Sequence, residues 1–251
     1  MPRFFLSDEN IRDGVIRIED SDAAHIVLSL RMTVGDNIVV CDFSGREYTC
    51  KIVSAEVGGV LAQIQSFRES SNETPYFAVL YQALAKGDRF DMIVQKSVEC
   101  GVSKIVPVLT ERCISRPDAA ASVKKVARWR KISQEAAKQC GRAIIPAVSE
   151  IITYGEALTQ MTESGIGFLC YEGDGTVPLG RSLRRVIKNS GYRIDGDISF
   201  MVGPEGGFSG FEVDRAKEAG LALTGLGSRI LRCETAAPFV LACLSYEFEL
   251  E

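Results

Sequence analysis

The segment DISFMVGPEGGFSGFEVDRAKEAG, residues 197–220, constrains the fold more than any other stretch of the chain. DISFMVG is a short apolar run typical of a buried strand, and Ser209 with Glu212 three residues later forms the capping box that opens a helix. Gly220 is placed to end that helix. The loop GPEGGF therefore joins the carboxyl end of a strand to the start of a helix, where open α/β sheets bind ligands.

Apolar runs alternate with helical segments from Pro75 onward. The strand-like runs are YFAVLYQAL, KIVPVLT, IGFLCYE, DISFMVG and LALTGLG, and the longest helical segment is SVKKVARWRKISQEAAKQC, closed by Gly141. Such alternation is typical of a mainly parallel sheet covered by helices on both faces. We therefore predict an α/β domain over residues 75–251.

The first part of the chain has a different rhythm. Four short β-like runs, GVIRI, DNIVVCDFSG, REYTCKIVSA and GVLAQIQSF, are bounded by Gly, Asp or Ser, which predicts a small β barrel or sandwich over residues 1–70. The polar stretch RESSNETP, residues 68–75, follows it and is predicted to be a linker that buries nothing.

The composition disfavours several kinds of catalytic and metal-binding site. The chain has eight cysteines without a C-x-x-C pair and a single histidine, His25, which disfavours a zinc site and the usual Ser-His or Cys-His nucleophile pairs. The glycine loop matches neither the G-x-G-x-x-G dinucleotide motif nor a P-loop. No apolar run is long enough to span a membrane and MPRFFLSDEN lacks a secretory signal, so we expect a cytoplasmic protein that has no membrane or metal partner.

The net charge of −4 argues against indiscriminate coating of nucleic acid, but local charge is what a phosphate backbone meets. Residues 112–142 contain nine basic residues and only two acidic ones, Asp118 and Glu135. A second basic cluster contains no acid and comprises Arg181, Arg184, Arg185, Lys188 and Arg193. A solvated helix face and an RNA-binding surface explain these clusters equally well.

A second strand exit resembles the first in construction. In LGSRILRCETAAPF, residues 226–239, two arginines and Glu234 precede Thr235, which is a candidate N-cap of the last helix with Pro238 in its first turn. Because both loops follow strands, one pocket could be lined by both.

Five segments carry a resemblance to a known family. GPEGGF at 203–208, LGSRILRCETA at 226–236, KGDRFDMIVQKSVECGVSKIVPV at 86–108, WRKISQEAAKQCGR at 129–142 and HIVLSLRMTVGD at 25–36 resemble the ribosomal RNA small subunit methyltransferase E family, the uridine-N3 methyltransferases of the SPOUT superfamily. The chain departs from the family at Cys233, where threonine is usual, at Gly210-Phe211, where acids are favoured, and at Pro238.

The resemblance implies a PUA-like β-barrel domain that binds RNA, followed by a SPOUT-type α/β methyltransferase domain with a trefoil knot. General folding rules would disfavour a knot. The resemblance also implies a homodimer, S-adenosyl-L-methionine as methyl donor, and a uridine of 16S rRNA in the small ribosomal subunit as acceptor at N3. Ribose 2′-O or guanosine-N1 methylation remains an alternative, as does a non-catalytic RNA-binding adaptor.

The resemblance also assigns residues to the donor site. The donor is expected across three loops, with contacts from Leu169, Tyr171, Glu172, Gly203, Pro204, Glu205, Gly206, Gly207, Leu226, Gly227, Ile230 and Leu231. RNA phosphates are expected to meet Arg31, Arg112, Arg116, Lys124, Lys125, Arg128, Arg130 and Arg142. His25 and Trp129 are expected to be structural.

Methylation at N3 of uracil requires loss of the N3 proton before or during attack, so it needs a base or a cation that stabilises the uracil anion. With one histidine in the chain, carboxylates and arginines must supply these groups. We assign Arg232 to the anion or a phosphate, and Glu234 to proton removal or to orienting Arg232. Glu205 binds the cationic end of the donor, holds the knot together or, less favourably, transfers the proton.

Overall fold

The computed structural model describes residues 1–163, 165–190 and 197–250, of which 8, 165 and 185–190 are described by their backbone alone. Arg193 and the side chains of Arg185 and Lys188, all in the second basic cluster, therefore lie outside the described part. The chain forms two compact units, one of residues 1–73 and 137–145 and the other of residues 74–136 and 146 onward. Residues 137–145, which the sequence pattern placed in the second domain, thus pack with the first unit.

The first unit is built on a six-stranded sheet in the order β1-β4-β5-β6-β3-β2, in which β1 pairs with β4 in parallel and all other pairs are antiparallel. The strands are β1 (Arg3–Leu6), β2 (Ile11–Arg12), β3 (Val15–Ile18), β4 (Asn37–Asp42), β5 (Arg46–Glu56) and β6 (Gly59–Glu69). The four runs predicted from the sequence are confirmed as β3 to β6.

One face of this sheet forms the core of the unit. The face is covered by the short helix α1 (Asp20–Ala24) and the π-helical turn His25–Ser29 that continues it. The alternation in β3, where Ile16 and Ile18 are buried and Arg17 is exposed, shows the period of two that a half-buried strand requires. His25 is exposed and meets the ring of Phe4 edge-on, a packing role as expected.

The linker prediction for residues 68–75 was wrong in one respect, because Glu73 in this polar stretch is largely covered, with 19% of its side chain exposed, and pairs with the buried Arg142. The Glu73 carboxylate accepts hydrogen bonds from Arg142 Nε at 3.0 Å and from the backbone N–H groups of Ala143 and Ile144. A carboxylate can be buried when charged and backbone donors satisfy its oxygens. Polar composition alone does not reveal such partners when they lie about seventy residues away.

The second unit contains a parallel sheet in the order β10-β8-β7-β13-β11-β14-β12, with β9 paired to β8. Its strands are β7 (Ala78–Ala83), β8 (Lys104–Leu109), β9 (Ala147–Val148), β10 (Ile152–Thr153), β11 (Gly165–Cys170), β12 (Val177–Pro178), β13 (Asp197–Val202) and β14 (Ala222–Gly225). The helices are α2 (Arg89–Glu99), α3 (Ala119–Cys140), α4 (Tyr154–Glu163), α5 (Leu179–Ser190), α6 (Gly210–Glu218) and α7 (Cys233–Phe248).

The predicted α/β class is confirmed, since every described pairing in this sheet is parallel and the predicted apolar runs form β7, β8, β11, β13 and β14. The central strands are buried along almost their whole length, as expected for a sheet covered on both faces. Trp129 of α3 is buried against Phe90 and donates its Nε1–H to Asp91, which confirms its structural role. No helix in the described ranges combines the length and apolar character needed to cross a membrane.

The strand order brings three loops together. β13 lies between β7 and β11, and β14 lies on the other side of β11. Because these strands run in the same direction, the loops that leave β11, β13 and β14 emerge at one edge of the sheet. The last helix, α7, packs against α2, β7 and β13 beside this edge.

The helix that follows the glycine loop has the predicted ends. Ser209 Oγ accepts from the N–H of Glu212, and the Glu212 carboxylate accepts from the N–H of Ser209, which completes the capping box. The second carboxylate oxygen of Glu212 accepts from the N–H of Glu111 at 2.8 Å. Gly220 adopts φ +83° after the C-cap, so the predicted glycine stop is also confirmed.

The start of the last helix was predicted incorrectly. Arg232 is the N-cap residue, with an extended backbone, and its carbonyl accepts from the N–H groups of Thr235 and Ala236 at 2.9 Å. Thr235 therefore lies within the first turn, and Pro238 lies in the second turn rather than the first. Since Arg232 lacks a capping hydroxyl or carboxylate, a sequence reading favours Thr235 and starts the helix too late.

We predict that Glu212→Ala destabilises the second unit by about 1–3 kcal/mol, because it leaves the N–H groups of Ser209 and Glu111 without their acceptor. Urea unfolding followed by the fluorescence of Trp129, the only tryptophan, measures this. Asp214→Ala on the exposed face of the same helix is the control and should change stability by less than about 0.5 kcal/mol. Equal effects of the two substitutions would contradict the role of Glu212.

Candidate functional site

A cavity of about 430 Å³ opens where β11, β13 and β14 end. This volume lies within the range of roughly 300–1,000 Å³ that small-molecule sites occupy. Most residues that the sequence assigned to a donor or catalytic role line it: Tyr171, Glu172, Gly203, Pro204, Glu205, Gly207, Leu226, Gly227, Ile230, Leu231, Arg232 and Glu234.

Two assigned residues do not line the cavity. Leu169 is fully buried in the core beneath the strand exit, with the side chains of Met201 and Phe208 in the same cluster. Gly206 turns its carbonyl to Arg112, whose Nη1 donates to it at 2.9 Å. Both residues therefore support the loops from outside the cavity.

Other residues line the cavity without having been assigned to it. They are Arg89, Cys170, Val202, Phe208, Arg229, Cys233 and Ala236. Cys170 and Val202 are the last residues of their strands, so the strand ends themselves were a usable signal. Arg89 had no local signal, because it reaches the cavity from the first turn of α2, more than a hundred residues earlier in the chain.

The glycine loop needs its glycines for two different reasons. Gly207 has φ +64° and its N–H donates to the carbonyl of Pro204 at 2.9 Å, which closes a tight turn that L-residues adopt only with strain. A Cβ on Gly203 would lie 3.1 Å from the ring of Phe208. The loop backbone therefore follows the cavity wall closely, with Phe208 packed behind it.

Glu205 is held in place by donors from the N-terminal end of α2. Its carboxylate accepts from the N–H of Lys86 at 3.0 Å and from Nη1 of Arg89, with which it forms an ion pair. Burial by itself raises the pKa of Glu205, but these hydrogen bonds, the backbone N–H of Glu205 and the charge of Arg89 outweigh it and lower the pKa. Glu205 is thus a fixed, ionised carboxylate at the cavity wall and a weak proton acceptor.

Glu234 lies on the opposite loop, at the first turn of α7. Burial raises its pKa, but its own backbone N–H, the Cys233 thiol and the charges of Arg89 and Arg232 together lower it. Cys233 Sγ donates to Glu234 Oε2 at 3.2 Å, and burial together with this carboxylate raises the pKa of Cys233 to about 12. Cys233 is therefore a protonated donor to Glu234 and is not a nucleophile.

Arg232 is the exposed partner of this pair, since 82% of its side chain is accessible and its Nη1 lies 3.9 Å from Glu234 Oε1. The distance exceeds that of a hydrogen bond. The guanidinium is consequently near Glu234 while its N–H groups remain directed to solvent at the cavity mouth. An anionic group that enters the cavity could bind there.

The arrangement suits a ligand with an apolar portion and a positive charge. Leu226, Leu231, Val202 and Ala236 supply apolar wall, while Glu172, Glu205 and Glu234 supply carboxylates. The N–H of Tyr171 donates to the carbonyl of Thr224 at 2.9 Å, which joins two of the three loops at their bases. Within the described ranges, no group of three or more His, Cys, Asp or Glu side chains is placed to hold a metal ion.

The residues assigned to RNA binding differ in what they contact. Arg142 is buried and paired with Glu73, Arg128 pairs with Asp88 and Asp91, and Arg130 pairs with Glu150. Arg112 and Arg116 donate to backbone carbonyls of the second unit. Arg31 is exposed, as is Lys124, and Lys125 lies 5.9 Å from the ring centroid of Trp129.

Two family models match the chain. The model described as an RNA methyltransferase domain matches residues 72–245, and the model described as an RNA methyltransferase PUA domain matches residues 18–65. Among curated proteins, a ribosomal RNA small subunit methyltransferase E of Bacillus subtilis is 30% identical over 253 residues, which is 100% of this chain and 98% of the relative. The protein of the same name from Synechocystis is 29% identical over 96% of this chain and 76% of the relative.

Solved structures give the same result. The crystal structure of a ribosomal RNA small subunit methyltransferase E from Neisseria gonorrhoeae, bound to S-adenosyl methionine, has a TM-score of 0.84 at 35% identity and covers 99% of this chain and 98% of its own. A methyltransferase from Legionella pneumophila in complex with the cofactor SAM also has a TM-score of 0.84, at 28% identity, and covers 98% of this chain and 97% of its own.

We predict that Arg89→Gln raises the pKa of Glu205, because the burial that raises it remains while an ion pair and a hydrogen bond that lower it are lost. The ¹³C shift of the Glu205 side-chain carboxyl carbon as a function of pH measures the midpoint. Arg128→Gln is the matched control, since Arg128 pairs with Asp88 and Asp91 instead. An unchanged midpoint in Arg89→Gln would show that the backbone donors alone hold Glu205 ionised.

Proposed function

Since the chain belongs to the ribosomal RNA small subunit methyltransferase E family, it is an rRNA methyltransferase that uses S-adenosylmethionine, and we propose that its acceptor is N3 of a uridine in 16S rRNA. Its fold is an α/β methyltransferase domain preceded by a PUA domain. The observation that carries the proposal is the cavity at the ends of β11, β13 and β14, whose loops contain both motifs of the family.

The residues present fit the donor. S-adenosylmethionine supplies a methyl group on a positively charged sulfonium and also carries an adenine ring and an amino-acid end. Leu226 and Leu231 offer the apolar surface that an adenine needs, and the close-packed backbone at Gly203 and Gly207 leaves room for a ligand against the main chain. Glu172 and Glu205 offer negative charge to the cationic groups of the donor.

The proposed acceptor chemistry assigns different roles to the two carboxylates nearest the arginines. A carboxylate whose pKa is lowered is a poor base toward an imide nitrogen, and this holds for both Glu205 and Glu234. We therefore assign solvent water to accept the N3 proton, Arg232 to stabilise the anion that this loss leaves on the uracil ring, and Glu234 to orient Arg232. Glu205 fixes Arg89 and the glycine loop, and the remaining work is in-line positioning of N3 and the methyl group.

RNA contacts are proposed for the basic residues that keep exposed charge. Arg31 in the first unit, together with Lys124 and Lys125 on α3, are the assigned residues whose cationic groups have neither a carboxylate nor a carbonyl partner among the described residues. Arg112, Arg116, Arg128, Arg130 and Arg142 have structural partners, and any contribution to RNA binding would compete with them. Affinity from such phosphate contacts decreases as salt increases.

The knot, the dimer and the compartment are part of the same proposal. The chain forms β14 beyond β11 and then returns, so that α7 packs against α2, β7 and β13, and this path supports a trefoil knot closed by α7. The family resemblance supports a homodimer and a cytoplasmic enzyme that meets 16S rRNA in the small ribosomal subunit. Residues 1–70 would then bind RNA and residues 75–251 would carry out methyl transfer.

We predict that the protein transfers labelled methyl from S-adenosylmethionine to small ribosomal subunits that lack the modification. Digestion of the RNA and chromatography of the nucleosides should recover the label as N3-methyluridine. Label in a 2′-O-methylated nucleoside or in N1-methylguanosine would show that the proposed acceptor atom is wrong, while the assignment as an rRNA methyltransferase would still hold. Donor binding without transfer to any rRNA would favour the non-catalytic RNA-binding adaptor.

We also predict that Glu234→Gln lowers kcat by about 10- to 100-fold with little change in affinity for S-adenosylmethionine, because the arginine loses its orienting charge. Since the pKa of Glu234 lies below its ordinary value of 4.5, wild-type activity should show no loss from this group as the pH falls from 8 to 5. Single-turnover rates across this range measure both effects. Glu218→Gln, on the exposed face of α6, is the control, and an equal loss in that variant would refute the assignment.

A further inference from the structure

The loop between β14 and α7, residues 226–232, presents an apolar side chain to solvent at the mouth of the cavity. Ile230 is 83% exposed although it lines the cavity, and its neighbours Ser228 and Arg229 are exposed as well. Gly227 has φ +111°, a conformation that favours glycine and turns the chain outward before this tip. The tip is therefore an isoleucine projecting beside the site.

A single exposed apolar residue is common on protein surfaces and carries no meaning alone. What distinguishes Ile230 is its charged surroundings. Arg229 has no ion-pair or hydrogen-bond partner among the described residues, and Arg232 comes no closer than 3.9 Å to Glu234. By contrast Arg89, on the same cavity, is engaged by Glu205. Two cations with weak or no partners thus flank an exposed aliphatic side chain, which favours a polyanion that also has an apolar interior.

Single-stranded or distorted RNA has both properties. The inference rests on the proposed function, because N3 lies on the pairing edge of uracil and cannot reach a methyl group inside the cavity while the base is stacked and paired. Extruding a base costs a few kcal/mol of stacking and leaves a gap between its neighbours. Aliphatic side chains inserted between base steps are known to unstack them partially, and a side chain of this kind fits the gap that an extruded base leaves.

We propose that the tip of loop 226–232 is a wedge that keeps the target uridine extruded. Ile230 occupies the gap in the base stack beside the uridine, and Arg229 binds an adjacent phosphate. Arg232 retains its role at the uracil ring inside the cavity. The main chain at Ile230 can still form part of the donor site, since the wedge uses the side chain that the cavity leaves exposed.

Two other partners could contact the Ile230 side chain, namely the donor and a second copy of the chain. Each leaves a different signature. Contact with the donor makes its affinity depend on residue 230, and contact with a second copy makes the dimer dissociation constant depend on it. Contact with RNA changes neither of these dissociation constants and makes only kcat/KM for the rRNA substrate depend on residue 230.

The experiment compares Ile230→Ala and Ile230→Met with the wild-type protein on small ribosomal subunits that lack the modification. Ile114→Ala is the matched control, because Ile114 is also strongly exposed, at 68%, but does not line the cavity. Three quantities are measured: kcat/KM for the subunits, the dissociation constant of S-adenosylmethionine by calorimetry, and the dimer dissociation constant by sedimentation. Arg229→Ala is measured as a function of salt.

We expect Ile230→Ala to lower kcat/KM for the subunits about tenfold, a loss of roughly 1.4 kcal/mol, with donor affinity and dimerisation unchanged. Ile230→Met, which keeps an apolar side chain of similar reach, should retain most activity, and Ile114→Ala should match wild type. Arg229→Ala should weaken subunit binding and reduce the slope of log K against log salt by about 0.7, the value for one phosphate of a single strand.

The inference is overturned if Ile230→Ala weakens donor binding or dimerisation by the factor by which it lowers activity. It is also overturned if wild type methylates the subunits and Ile230→Ala does so equally well. A wild-type protein that methylates no rRNA instead overturns the proposed function, and the wedge falls with it. The wild-type measurement therefore separates the two failures.

Discussion

The site depends on β11 pairing in parallel with β13 on one side and β14 on the other. This register brings the ends of three strands to the same level, so that Cys170, Val202 and Gly225 begin three loops that surround one space. The hydrogen bond from the N–H of Tyr171 to the carbonyl of Thr224 continues the pairing one step beyond the strand. The position of the cavity is consequently set by the buried sheet, and the loops supply most of its wall through both backbone and side chains.

Glutamates with different partners perform different tasks around this space. Glu212 is buried, and its carboxylate accepts backbone N–H groups from Ser209 and Glu111, so it joins the start of α6 to the end of β8. Glu205 fixes an arginine of α2 at the cavity wall. Glu234 is bonded by a thiol and lies near an arginine that remains solvent-exposed. The number and kind of donors around each carboxylate distinguish a structural group from one that acts on a ligand.

Features encoded over a few neighbouring residues could be predicted from the sequence, and features that depend on distant partners could not. The capping box at Ser209 and Glu212, the glycine stop at Gly220 and the apolar strands each follow from local patterns and are confirmed. The pairing of Glu73 with Arg142 and the arrival of Arg89 at the cavity depend on the tertiary fold. No periodic pattern in the sequence indicates either of these two contacts. The last helix, α7, could be predicted from the sequence, but its first residue could not. Its N-cap, Arg232, has the extended backbone of a cap without the capping side chain that sequence rules require.

The position of the cavity residues along the chain has a consequence for biosynthesis. Of the described residues that line the cavity, all but Arg89 lie at or beyond Cys170, and several belong to the first turn of the last helix. A nascent chain that already contains β7, β8 and α3 still lacks every described lining residue of the cavity except Arg89. An enzyme whose substrate is ribosomal RNA is therefore inactive while the ribosome is still translating it. Incomplete translation products are inactive for the same reason.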